Sequence, residues 1–495
     1  MKNVSHYFLI GALLLSGCES NTEGYTGIEG TGDRVELASA YGTVSGFGSV
    51  YVNGVRFDTT AAEFEIAGEP ADEADLAVGM VVEVVGEINS KGKTGIAQTV
   101  RADRVLRGVI ESVDAVGSGR KALRILGQAV YVNEEATFVG TTFDELAPEL
   151  GINVSGFVTD NGLITATYIA KDDIDIAVDE LEVEGYISTV DEAAESFTLK
   201  ALTVLIAGAE FSGGTVQDLA AGKRVRVIGT LAEEAKTLNA TRVEFISKTI
   251  EDGRVVSLEG VVRDLTAGQR FTLQGVTVDM RNARIEKGTS SDITTGVQVV
   301  VFGSLLDGVL QAERIRIKPL NTQRFRGQVA DINAANKTFV LGENLFQVTK
   351  FTQFRDESRS MERYFNFDSL RSGEELEIFA VNTVEGWEVT RITRKDADVG
   401  PRDTLRGAVS NVSDDRSFYL GTIFVDATAV SEHEWNAVRN RADDAFEVDV
   451  EGSYIDESNF QATHVHIRPK PPCDPHVMYE CDGPKSAPTP HSHPR

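Results

Sequence analysis

A chain of 495 residues is too long for one hydrophobic core and suits several small domains. With 41% hydrophobic residues, 25% charged residues and 46 Gly against 12 Pro, it has the composition of a globular protein with many short strands and tight turns. Its formal charge of −28 repels phosphate backbones and anionic lipid surfaces, which argues against nucleic acid as a partner.

Residues 1–17 read as an export signal. Lys2 is a short basic start, and the apolar run 7–15 is too short to span a bilayer. Leu15, Ser16, Gly17 and Cys18 then resemble the lipobox of bacterial lipoproteins. That resemblance implies that Cys18 becomes the mature N-terminus and carries acyl chains, so that the membrane is a partner through the lipidated N-terminus. Glu19 stands where inner-membrane lipoproteins usually have Asp, which points to the outer membrane. Residues 18–41 lack periodicity and read as a flexible tether.

From residue 42 onward four marks recur. The first is a Gly leading a β-branched alternation, at Gly42, Gly108, Gly185, Gly260, Gly327 and Gly407. The second is a hairpin, clearest at 46–58, where Asn53 and Gly54 suit a two-residue type I′ turn. Its turn carries Gly127, Gly275, Gly342 and Gly421 in later copies. The third copy has Lys200 and Ala201 instead, so its turn is expected to be of another type. The third mark is Leu-x-x-Gly before a strand closed by Gly, as at Leu76 to Gly86, Leu219 to Gly229 and Ile293 to Gly303. Glu149 and Ala380 break the pattern in copies two and five, and the sixth keeps only Gly452. The fourth is Ala-x-Arg and a branched residue, at Arg104, Arg242 and Arg314, with Arg391 and His464 in variants. It reads as a strand with one face in a core and the Arg slot toward solvent.

The spacing predicts an all-β chain of six tandem, small, five-stranded OB-like β-barrels joined by short linkers, with a small sandwich as the rival. The expected repeats are 42–106, 107–171, 184–248, 259–318, 326–394 and 406–468, followed by a Pro- and His-rich tail, 469–495. The stretch 172–176 alternates and reads as a linker or an added edge strand. The longest inserts are 354–369 and 432–443; in the latter Trp435 and Val438 are spaced for one face of a helix. A rod of barrels, each with its own thin core and stabilised by its neighbours, is the expected arrangement.

Residues 46–57 and 76–86 closely match the marks of an uncharacterised bacterial domain, domain of unknown function 5666, often tandem and often behind a lipobox. More loosely, the chain resembles that family over 42–469. The resemblance implies fold and compartment. The family has no assigned activity, so it supplies no catalytic residues.

Cys473 and Cys481 are expected to pair as a local disulfide in an oxidising envelope. His464 and His466 alternate on a strand and offer a metal site, but a solvated strand face is the plainer reading. No P-loop, G-x-S-x-G elbow or H-E-x-x-H motif is present, and Asp172, Asp173 and Asp175 lack the rest of a calcium loop. No cofactor is expected. Arg355, Arg359 and Tyr364 in the fifth insert, with Trp435 in the sixth, are the candidate ligand-binding residues, and an anionic glycan is the ligand they would suit. The plainer reading is an insert packed on its own barrel. These readings favour an exported, lipid-anchored protein that binds or spaces an envelope protein or glycan. A glycan or small-ligand receptor comes second and an envelope hydrolase last.

Overall fold

The structure is a computed structural model that describes residues 35–89, 92–117, 119–159, 162–232, 236–246, 250–319, 322–396, 403–441, 446–456 and 458–467. Cys18, Cys473 and Cys481 lie outside these residues, as do the export signal, most of the tether and the tail.

The described chain is all-β, and its pairing repeats. In unit 1 the strand Val35–Gly46 pairs antiparallel with both Val50–Val52 and Val81–Asn89. Val50–Val52 continues into Val55–Asp58, which runs parallel to Thr94–Ala102 and so closes the ring through Val81–Asn89. The order 1-2-3-5-4-1 is that of a small Greek-key barrel of the OB kind. Residues 323–395 and 403–467 close in the same order. In units 2, 3 and 4 the first strand is split by a bend, its early half pairing with strand four and its late half with strand two. Each first strand begins ahead of the boundary expected from the Gly mark, at Val35, Leu106, Leu181, Val255, Gln323 and Asp403. The Gly stands inside the strand, where the chain passes close over its own hairpin. A Cβ at Gly108, for instance, would press on Ile125.

The other marks have equally local causes. Asn53 and Gly54 both take positive φ, as a type I′ turn requires, and so do Leu126 with Gly127 and Gln274 with Gly275. Units 3, 5 and 6 use a different turn, with positive φ at Lys200, Gly342 and Gly421 and not at the residue that follows. The Gly that closes the fourth strand sits at a β-bulge in units 1, 2, 3, 4 and 6. There the facing carbonyl oxygen approaches so closely that a Cβ would lie well inside van der Waals contact. Unit 5 carries Ala380 at the equivalent bulge. The Leu-x-x-Gly mark follows a one-turn helix in units 1, 3, 4 and 5, at Glu73–Asp75, Val216–Asp218, Ser290–Asp292 and Phe367–Ser369. The carboxylates of Asp75, Asp218 and Asp292 accept from the backbone N–H groups of Asp72, Thr215 and Thr289 at the start of the first three, and Asn366 caps the fourth by accepting from Asp368 N–H. The sixth insert forms the helix Glu432–Arg439, which buries Trp435 and Val438. Residues 172–176 do not form the added edge strand; Arg107 holds Asp172 at 2.7 Å as the chain enters a turn.

The barrels do not form a rod. Each first strand leaves an edge that a second first strand covers, which removes the exposed edge. Unit 1 pairs parallel with unit 4, Ala38 opposite Val255 and Tyr41 opposite Leu258. Unit 2 pairs antiparallel with unit 3, and unit 5 with unit 6. The three pairs then meet one another. The result is two 14-stranded sheets and one 10-stranded sheet. Nor is each core separate: one apolar cluster runs through units 2 and 3 and another through units 5 and 6.

Candidate functional site

Pairing of first strands buries the face that alternation assigns to solvent. In unit 3 the inward residue Val183 is flanked by Glu182 and Glu184, each only 3% exposed. Two arginines on strand four answer them. Arg224 Nε donates to Glu184 at 2.6 Å, and its Nη1 donates to Gln274 of unit 4 at 3.0 Å. Arg226 lies 3.3 Å from Glu182, 2.9 Å from Asp103 and 3.1 Å from Glu244. Burial pushes the Glu182 carboxyl up against the pull of Arg104 and Arg226. Burial also disfavours the charge on Arg224, but Glu184, Tyr41 and Tyr186 together outweigh it and hold the guanidinium above its usual range. These charges are matched within unit 3 and, through Asp103 and Arg104, with unit 1, as buried ions must be.

Beside this network a cleft of about 920 Å³ opens to solvent where units 1, 2 and 3 meet. Glu69, Arg104, Arg107, Asn153, Glu210 and Arg242 are among the residues that line it. Arg104 bonds Glu182 at 3.1 Å, and Arg107 pairs with Asp172 at 2.7 Å. The walls therefore offer many donors and acceptors but little net charge. That suits a hydroxyl-rich ligand better than an apolar one.

The four residues expected to bind a ligand do not converge. Trp435 is 2% exposed in the core of unit 6, under Arg416, and no ligand reaches it. Arg355 is also withdrawn: it donates to the carbonyl of Phe138 in unit 2 at 2.6 Å and pairs with Glu357 at 2.7 Å. Arg359 is fully at the surface, 3.4 Å from Asp396, and Tyr364 is about half exposed. The insert that carries them packs on its own barrel, where Phe365, Phe367 and Leu370 join the core of units 5 and 6, and it reaches a second barrel as well. Arg363 lies 4.0 Å over Phe47 of unit 1 and donates to the carbonyls of Leu76, at 3.1 Å, and Glu73. His464 and His466 stack with rings 6.5 Å apart, and His464 Nδ1 lies 3.3 Å from Glu434. Among the described residues no three His, Cys, Asp or Glu side chains gather to hold a metal ion.

The arginine slot of the fourth mark is not a uniform solvent slot. Arg104 and Arg242 line the cleft. Arg391 is 3% exposed and donates to the carbonyls of Glu135 and Ala136 in unit 2, both at 2.7 Å. The seam residues Glu182, Glu184, Arg224 and Arg226 escaped a reading by single strands. Their signal is a pair of complementary alternations, E-V-E on strand one and R-V-R on strand four, which neighbouring strands bring face to face.

A search among curated proteins returned no match. Among solved structures, a chain described as Drosophila Unr CSD456 is similar at 16% identity over 44% of this chain and 98% of that one, with a TM-score of 0.12, a superposition too weak to bear on fold or function. A family model, domain of unknown function DUF5666, matches residues 41–101, 107–170, 184–244, 259–316 and 326–390. These stretches cover more than half of the chain, and the protein belongs to the DUF5666 family.

Proposed function

We propose that the chain is a non-catalytic scaffold of the cell envelope, tethered through lipid on Cys18 at the outer membrane and presenting its interlocked barrels to an envelope protein or glycan. The observation that supports this most is the use of buried charge. At the seams Arg104 and Asp103 of unit 1 answer Glu182 and Arg226 of unit 3, and Arg224 of unit 3 bonds Gln274 of unit 4. Such matched groups hold barrels in register, whereas general acid–base work calls for a group poised to gain or lose a proton. Glu19, in place of Asp after Cys18, supports the outer-membrane assignment. Palmitate labelling of wild type, lost in Cys18→Ala and accompanied by globomycin-sensitive processing, is the expected result. An unlabelled, freely soluble wild type would remove the anchor, and crosslinking in whole cells would identify the partner.

A second reading, a receptor for a hydroxyl-rich ligand such as a glycan, draws on the cleft of about 920 Å³ between units 1, 2 and 3. Binding on a glycan array that weakens in Arg242→Ala would support it. A blank array would count against it.

A further inference from the structure

Where units 1, 4 and 5 meet, positive charge collects in an otherwise acidic chain. Arg314 and Arg316 stand two residues apart on the strand Val309–Ile317 of unit 4, and so share a face. Lys350 arrives from the strand Asn344–Asp356 of unit 5, its stem close against Gly54 at the hairpin tip of unit 1. Aromatic rings hold all three: Arg314 lies 4.4 Å over Phe302, while Arg316 and Lys350 lie 4.1 and 4.8 Å over the same ring, Phe351. A small cavity of about 20 Å³ lies among them, with Asn53 and Gly92 of unit 1 in its wall. Gly92 is needed there, since a Cβ would press on the Phe302 ring and the Arg314 guanidinium.

Arg316 is answered by Glu388. Among the described residues neither Arg314 nor Lys350 has a carboxylate within ion-pair distance, although Glu286 lines the same cavity. Burial, then Arg314, lowers the affinity of Lys350 for its proton, with Arg316 and Lys93 adding and Glu286 opposing. Uncompensated cations gathered this closely repel one another, and an anion between them would relieve the repulsion.

We propose that this cavity binds one compact oxyanion, a phosphate or sulfate group, held by Arg314 and Lys350 and tying units 1, 4 and 5 together. The guanidinium fork matches two oxygens of a tetrahedral anion, and the lysine adds a point charge. Size limits the choice: a single water needs about 10–15 Å³ on this measure, so the space takes one or two oxygens of an anion whose other oxygens face the opening, and not a sugar ring or a base. The ligand is therefore the free ion or the terminal group of a larger molecule whose remainder stays outside. The proposal does not rest on the scaffold reading or on the cleft between units 1, 2 and 3.

The test is isothermal titration of the full chain, in detergent and at constant ionic strength, with inorganic phosphate, inorganic sulfate and glucose 6-phosphate. Saturable binding of at least one is expected. It should weaken about tenfold or more in Arg314→Gln and in Lys350→Met, because each removes a charge-assisted contact. Arg314→Lys should retain part of the affinity, and Arg242→Gln, in the other cleft, all of it. Circular dichroism identical to wild type separates lost binding from lost fold. Equal binding of glucose 6-phosphate would identify a terminal phosphate, and binding of the inorganic ions alone a free ion. No saturable response to any of the three, or an unchanged response in both Arg314→Gln and Lys350→Met, would overturn the proposal.

Discussion

Asp403 offers a measurable test of how the seam between units 5 and 6 is built. It opens the first strand of unit 6, and its carboxylate presses against Gly327 of unit 5, where no Cβ could stand. Burial lifts its pKa from 3.8 to about 6, with a backbone hydrogen bond from Tyr454 opposing and the charge of Glu375 adding. One unit corresponds to about 1.36 kcal/mol, so a gap of about two units sets a ceiling near 3 kcal/mol. The group keeps some contact with water, which reduces the expected effect to about 1–2 kcal/mol. The sign follows from proton counts. Between about pH 4 and pH 6 the folded chain holds a proton that the unfolded chain has released, so stability falls as pH rises through that window and stays lower above it. Asp403→Asn keeps the neutral form at every pH, and its amide oxygen can still accept from Tyr454. In urea unfolding the variant should match wild type near about pH 4 and exceed it by about 1–2 kcal/mol near about pH 8. Titrations elsewhere cancel in that difference. A gap that does not change with pH, or a variant less stable than wild type at the higher pH, would refute the reasoning.

Three further expectations concern particular side chains. Gly303→Ala drives a Cβ into the carbonyl of Gln311 and should cost about 1–3 kcal/mol in urea unfolding, whereas Ala380→Gly at the equivalent bulge should cost about 1 kcal/mol or less. Equal costs would mean that the bulge relaxes. Glu149 holds φ of 71°, in the slot where units 1, 3, 4 and 5 have Gly79, Gly222, Gly296 and Gly373 at positive φ. Glu149→Gly should therefore stabilise unit 2 by about 0.5–1 kcal/mol, the relieved strain exceeding the added freedom of the unfolded chain; a lower melting temperature would contradict this. Arg224→Met deprives Glu184 of its nearest cation and should cost about 3 kcal/mol, while Arg224→Met with Glu184→Leu should recover most of that loss. A double variant no better than the single one would show that the pair does not act as a unit.

How much of this could be read from residues alone depends on which face of a strand is considered. Inward faces were legible: Val50, Val52, Val55 and Phe57 alternate as core residues do, and Trp435 with Val438 marked the buried side of the one α-helix described. Turn chemistry was legible where Asn53 and Gly54 specify it. It was less so where Gly342 and Gly421 sit one position earlier in their turns and signal a different geometry. Outward faces misled. Glu182, Glu184 and Arg391 have the polarity of solvated residues, yet all are buried, because alternation reports polarity and cannot distinguish water from a polar partner on a neighbouring strand or barrel. The partner choice was hidden for a different reason. Residues 38–41 pair with 255–258, more than two hundred positions away, and nothing local to either strand names the other.

Copies of one module present a particular difficulty: every first strand resembles every other, so wrong pairings compete with the right ones. The first strands carry a device suited to this. Unit 3 places acids on strand one and bases on strand four, Glu182 and Glu184 against Arg224 and Arg226. Unit 5 reverses the arrangement, with Arg324 and Arg326 on strand one against Glu377 and Glu375 on strand four. Unit 6 follows unit 5, with Arg406 against Asp449 and reaching Glu134 of unit 2 as well. A first strand of unit 5 laid into the place of unit 3's would keep every apolar contact. It would nevertheless set Arg324 and Arg326 beside Arg224 and Arg226 in a site closed to water. Desolvated like charges repel strongly, and an unanswered buried charge costs about 3–5 kcal/mol. The apolar alternation that all copies share folds each barrel, and the charges that differ between copies decide which first strand it accepts.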